Sequence, residues 1–113
     1  MNLLDAREHF GVREWGTYRV PLAVRLLRKV SEDGDCWAWT GTQDRNGYGS
    51  VSDRHSRKML LVHRVAYELF TGPIPPGMEI DHKCRNRCCI NPDHLREATP
   101  VDNCANRGGR FAA

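Results

Sequence analysis

The chain lacks any long apolar run. Nothing in its 113 residues approaches the roughly 18 consecutive apolar residues of a helical membrane span, so no such span is expected. The opening "MNLLDAREHF" lacks the basic-then-apolar order of a secretion signal, and the expected location is therefore intracellular, in the cytoplasm. Internal repeats and low-complexity tracts are missing too, and the length is that of one domain. Charge of one sign is scarce in excess: 17 basic against 14 acidic residues leave +3, a mild basicity that only weakly favours a nucleic-acid partner. The cysteines number five, an odd count that argues against a disulfide framework in a chain without a secretion signal. A secreted disulfide protein is thereby disfavoured, and clustered cysteines near histidines point to zinc instead.

What is present is unevenly spread. A domain this small buries a limited core, so a bound metal would help to hold it. From Arg54 to Arg64, "RHSRKMLLVHR" carries four cations, two histidines and no acid, which suits a solvated strand face or a phosphate partner. Upstream, "VPLAVRLLRKV" (residues 20–30) sets Val20, Ala23, Val24, Leu27 and Val30 at helical spacing, with Pro21 in the first turn and "SEDGD" stopping the helix. "CWAWTG" predicts a short strand, Asn46-Gly47 a hairpin turn, and the run through Tyr48 and Val51 a second strand. "RKMLLVHR" predicts a third strand and "HRVAYELFTG" a helix that turns Val65, Leu69 and Phe70 to one face and ends at Gly72. "PIPPGM" is barred from regular structure by its prolines. Beyond it come a short strand ending in Asp81-His82, an irregular loop "KCRNRCCINPD", a strand "HLREAT" and a helix opened by Thr99 and Pro100.

Residues 79–107, "EIDHKCRNRCCINPDHLREATPVDNCANR", are dense in cysteine, histidine and asparagine. A hairpin folded back on the following helix can bring Asn103 to Asp81 and His82. One carboxylate and one amide oxygen make a hard, open site for a Mg²⁺-type ion. His82, facing the other way along its strand, is then placed to take a proton from water. Those are the parts of a one-metal nuclease.

At this point the residues resemble the HNH endonucleases, in particular small free-standing versions of the phage and homing kind. The resemblance covers roughly residues 36–107 and rests on several words in order: Cys-Trp-x-Trp-x-Gly, Gly-Tyr-Gly, His-Arg, Gly-Pro-Ile-Pro, Asp-His, Cys-x4-Cys, Asn-Pro-x-His-Leu, and the late Asn103 with Arg107 after it. It implies an α+β fold with a ββα-metal (His-Me finger) core at residues 77–107, preceded by a small three-stranded sheet plus helix at 36–76. A helical extension at 1–35 and a tail at 108–113 complete the expected division, with 36–107 as one compact unit.

The resemblance also implies roles. His82 is the general base, and Asp81 and Asn103 bind Mg²⁺, Mn²⁺ or another divalent ion. The family's middle asparagine usually stands before the leucine of the second strand, where this chain has His94; Asn91, three residues earlier, is left to brace the loop. Relatives with cysteines in that loop look like versions in which structural zinc replaces a missing core. Cys84 and Cys89 flank the loop here, His94 closes it, and Cys36 is the favoured fourth ligand. Cys88 is the rival, but neighbouring side chains in an extended segment point apart. Cys104 reads as a packing residue. Arg64, Arg85, Arg87 and Arg107 are candidate DNA contacts, Arg107 gripping a phosphate near the scissile bond, while Arg85, Arg87 and Arg96 read either as contacts to the DNA backbone or as solvated charges. His63 beside Arg64 reads either as part of a phosphate-contacting pair or as a histidine satisfied by backbone. Trp37, Trp39 and Tyr48 read as core of the sheet rather than as stacking platforms for bases. The expected function is hydrolysis of DNA phosphodiester bonds by nicking or double-strand cleavage, by a monomer or homodimer. A zinc-stabilised DNA-binding module without catalysis is the alternative.

Overall fold

The structure, a computed structural model, describes residues 2–14, 16, 20–54 and 56–101. Helix α1 (Leu3–His9) starts where the Asn2 side chain accepts the Asp5 backbone N–H at 2.7 Å, and it carries Asp5 in its first turn and Arg7 and His9 in its last, as the helix dipole favours. Gly11 follows at φ +62°, a left-handed stop. Leu3 and Ala6 are buried, while Leu4 on the other side is exposed. After a 3₁₀ turn at Val12–Glu14, helix α2 (Leu22–Arg28) begins behind Pro21. The apolar positions expected to share a face, Val20, Ala23, Val24, Leu27 and Val30, are all buried.

The sheet departs from expectation. Instead of one three-stranded sheet there are three separate antiparallel pairs: β1 (Val30–Asp33) with β2 (Cys36–Trp39), β3 (Ser50–Ser52) with β4 (Met59–Leu61), and β5 (Glu79–His82) with β6 (Leu95–Ala98). Two causes are visible. The residues expected only to stop α2 form β1, which turns back through the two-residue loop Gly34-Asp35, with Gly34 at φ +60° as such a loop requires of a leading glycine. The other edge of β2, expected to meet β3, is taken by residues 88–90: Trp39 N–H donates to the Cys88 carbonyl at 2.8 Å and Ile90 N–H to the Trp37 carbonyl at 2.9 Å. The turn at Asn46-Gly47 does form, but it joins β2's extension to β3 only through a single bridge, Gln43 to Gly49.

Helix α3 (Val62–Phe70) ends at Thr71 and Gly72, whose N–H groups both reach the Tyr67 carbonyl. Its buried face is Val62, His63, Ala66 and Tyr67; Leu69, expected on that face, is exposed. A helix starting at Val62 rotates Leu69 outward and tucks His63 in. A single apolar cluster runs from Leu3 and Ala6 through Leu27, Trp37, Trp39, Val62 and Ile80 to Ile90 and Leu95, so every pair of strands rests on it. A 3₁₀ turn at Pro92–His94 leads into β6, and a helical turn starts at Pro100 and Val101 where the described residues end.

Candidate functional site

Alternation along β5 decides which way its last two residues face. Asp81 pairs across the ladder with Arg96, and its buried carboxylate takes two contacts from that guanidinium, Nε at 3.2 Å and Nη2 at 3.1 Å from Oδ2. Arg96, read from sequence as a surface charge, is thus bound to the carboxylate assigned to a metal. That contact was legible in principle, since the register of a hairpin with an arginine opposite an aspartate produces it.

His82, buried on the other face, has Nε2 3.1 Å from the Cys89 carbonyl. A carbonyl only accepts, so Nε2 carries the proton, and in a neutral ring Nδ1 carries the lone pair. The imidazole packs 4.7 Å from that of His63, and the Tyr48 ring stacks on both, at 5.5 Å from His63 and 6.0 Å from His82. His63 is buried at the start of α3, and among the described residues its Nδ1 has no hydrogen-bond partner. Burial first, then the neighbouring His82 and Arg64, push His63 down to about 3, against a backbone hydrogen bond at Ile80. It is therefore neutral at physiological pH, and not a phosphate-gripping cation. Tyr48, read as sheet core, is only half-buried and belongs to this group of rings. The sequence carries both words, His-Arg and Gly-Tyr-Gly, but their meeting is tertiary.

Above His82 lies the cysteine loop. The ligand atoms of Cys36, Cys84, Cys89 and His94 all lie within 4.8 Å of one another. The Nδ1 of His94 is 3.6 Å from the Cys36 sulfur and 3.4 Å from that of Cys89. A tetrahedral zinc with bonds of about 2.3 Å to sulfur and about 2.0–2.1 Å to nitrogen has S···N edges of about 3.5 Å, so this donor set fits a zinc ion in both chemistry and size. Cys88 turns away: its sulfur accepts from Gln43 Nε2 at 3.1 Å and faces the Gly47 carbonyl. Burial pushes the Cys84 thiol up and that of Cys89 up to about 12, so both hold their protons unless a cation takes their place.

Local bonds explain the loop's shape. Asn86 Oδ1 accepts the Cys88 N–H, the Asn86 carbonyl accepts that of Cys89, and Arg85 adopts a left-handed φ of +61°. Asn91 is buried; its Oδ1 accepts the Asp93 N–H at 3.0 Å and its amide donates to the Asp35 carbonyl at 2.8 Å, tying the loop to the β1–β2 turn. Of the arginines, Arg85 is exposed, Arg64 reaches the Met78 carbonyl at 3.5 Å, and Arg87 donates to the Asn46 carbonyl with its guanidinium over the Tyr48 ring. Asn103, Cys104 and Arg107 lie outside the described residues.

Residues 60–105 match the family model described as HNH endonuclease. The chain is similar to Protein 2.8 of Escherichia phage T7, 37% identical over 75 residues, covering 66% of this chain and 50% of that protein. It is also similar to Protein 7.7 of the same phage, 41% identical over 69 residues, covering 61% and 52%. An uncharacterized gene 5.3 protein of Enterobacteria phage T3 is 43% identical over 58 residues, covering 48% and 57%. The chain thus spans about half the length of these relatives. No solved structure matches, and no described helix is long and apolar enough to cross a membrane.

Proposed function

We propose, from a chain whose residues 60–105 belong to the HNH endonuclease family, that the protein is a metal-dependent endonuclease hydrolysing phosphodiester bonds of DNA. The carrying observation is the His82 imidazole, held through Nε2 by the Cys89 carbonyl at the end of the strand that also bears Asp81. In this reading residues 77–107 are the ββα-metal core, 36–76 its supporting strands and helix, and 1–35 an extension that brings helices α1 and α2 and strand β1 to the same apolar cluster.

His82 Nδ1 takes a proton from water as the water oxygen bonds to phosphorus and the bond to the 3′ oxygen breaks; the 3′ oxygen takes a proton from solvent, leaving a 5′-phosphate and a 3′-hydroxyl. Asp81, with Asn103, would hold Mg²⁺ or Mn²⁺, which supplies neutralisation of the charge that builds on the phosphate and the leaving 3′ oxygen. Arg96 shares the Asp81 carboxylate and balances its charge in a buried setting. Cys36, Cys84, Cys89 and His94 would hold a structural Zn²⁺, which supplies the cross-links that a loop this polar cannot obtain from packing. Arg64, Arg85, Arg87 and Arg107 contact phosphates flanking the cut. One chain carries one such site, so a double-strand cut takes a homodimer or two visits by a monomer. Action on DNA inside the cell, in the cytoplasm, accords with the phage origin of the relatives.

Supercoiled plasmid with Mg²⁺ or Mn²⁺ tests this. Nicked product is expected from the native chain and none above background from His82→Ala, with zinc content and DNA binding retained. EDTA is expected to stop nicking before the fold is lost; undiminished nicking in EDTA, or by His82→Ala, sinks the mechanism. The Asp81–Arg96 pair favours a second reading, a zinc-stabilised DNA-binding module without catalysis, and absence of nicking beside intact binding would establish it.

A further inference from the structure

Three groups from three separate segments, Tyr48, His63 and Arg87, gather beside His82. Tyr48 leaves the 44–47 turn with its backbone fixed at both ends: its N–H donates to Asp44 Oδ1 at 3.0 Å, and its carbonyl accepts the Asp44 N–H at 2.8 Å. Its ring lies 27° from the plane of His82 and 30° from that of His63. The guanidinium of Arg87, from the cysteine loop, sits 5.0 Å from the centre of the same ring and is anchored on the Asn46 carbonyl. The phenol ring thus meets the loop arginine and both imidazoles while its own backbone is pinned by the turn.

A general base works only if its lone pair points at the attacking water, and errors of about 1 Å can cost about 100-fold. The Cys89 carbonyl fixes one point on the edge of the His82 ring. Contacts on the face of the ring add to that hold at its edge. Tyr48 stacks on it at 27° and 6.0 Å and His63 packs against it tilted at 44° and 4.7 Å, and both help to hold the plane of the imidazole. His63 is part of the α3 core, whereas Tyr48 is half-buried on a turn.

We propose that Tyr48 is a positioning residue for the catalytic imidazole, acting by ring-on-ring contact and held in place by Arg87. The role rests on the nuclease reading above, because a ring needs aiming only if its lone pair is used. In the zinc-loaded protein, Tyr48→Leu is expected to lower kcat for plasmid nicking about 10- to 100-fold with KM within about twofold, and Tyr48→Phe to stay within about threefold of native. The Cε1 proton of His82, assigned by its loss in His82→Asn, is expected to be shifted by the ring current of residue 48. The shift disappears in Tyr48→Leu and persists in Tyr48→Phe. Should the leucine variant not fold, as judged by zinc content and melting, Tyr48→Met takes its place with the same expected results. Native rates in the aliphatic variant, equal loss in Tyr48→Phe, or an unmoved His82 signal would overturn the role. No nicking by the native chain fells the nuclease reading and this role together. The proton signal needs no turnover and still reports whether the rings pack.

Discussion

Cys88 and Cys89 are chain neighbours whose side chains go to different places, one to Gln43 and the other to the Cys36–Cys84–His94 group. Alternation in an extended segment was enough to separate them from sequence, because adjacent side chains cannot both turn to one centre. Cys89→Ser is accordingly expected to strip tightly held zinc from the purified protein, while Cys88→Ser keeps one ion per chain, both read by metal mass spectrometry. Gly49 is constrained by space. A Cβ there would stand 2.5 Å from both Trp39 Cδ1 and Val62 Cγ2, and its carbonyl receives the first N–H of α3. Gly49→Ala is expected to cost about 1–3 kcal/mol in denaturant unfolding. His63 titrates near 6.5 in the unfolded chain and near 3 when folded. Above pH 6.5 neither state is protonated there. As pH falls from 6.5 towards 3, the unfolded chain binds the extra proton and stability drains away. Between pH 7 and 5 the native chain should therefore lose up to about 2 kcal/mol more than His63→Gln.

The strands were legible where their own residues define them and not where a distant segment does. β5 ending in Asp81-His82, β6, and the helix from Val62 follow from apolar spacing, Gly72 and the prolines. β1 was hidden because Asp33-Gly34, itself a hairpin signal, also reads as a helix stop. The edge of β2 was hidden for another reason. Alternation announces that a strand has an edge to be paired, but not which residues cover it, and here the cover is residues 88–90 from fifty residues downstream. Asn91 locks that cover in place. Asn91→Ala leaves the Asp35 carbonyl without its donor and Asp93 without its cap, and is expected to cost about 1–3 kcal/mol. Asn91→Asp keeps the acceptor and should cost less in the same melt.

At the scale of the molecule, β2 and the cysteine loop are joined twice, by ladder bonds and by the four would-be zinc ligands, of which Cys36 alone comes from the strand. With Cys84 and Cys89 raised by burial, both thiols must shed protons as the ion enters. Titrating metal-free protein with Zn²⁺ at pH 7 in a dilute indicator dye is expected to release about two protons or more per ion. A release near zero would show that the thiols are not ligands. The same titration should raise the melting temperature, because the ion binds only the folded arrangement.

Cys89 offers its sulfur to one centre and its peptide oxygen to the other. In the nuclease reading proposed above, whatever holds this sulfur also sets the aim of the imidazole. Loss of the ion would free the peptide group to shift and mis-aim His82 without any change to its ring, and return of the ion would restore the aim.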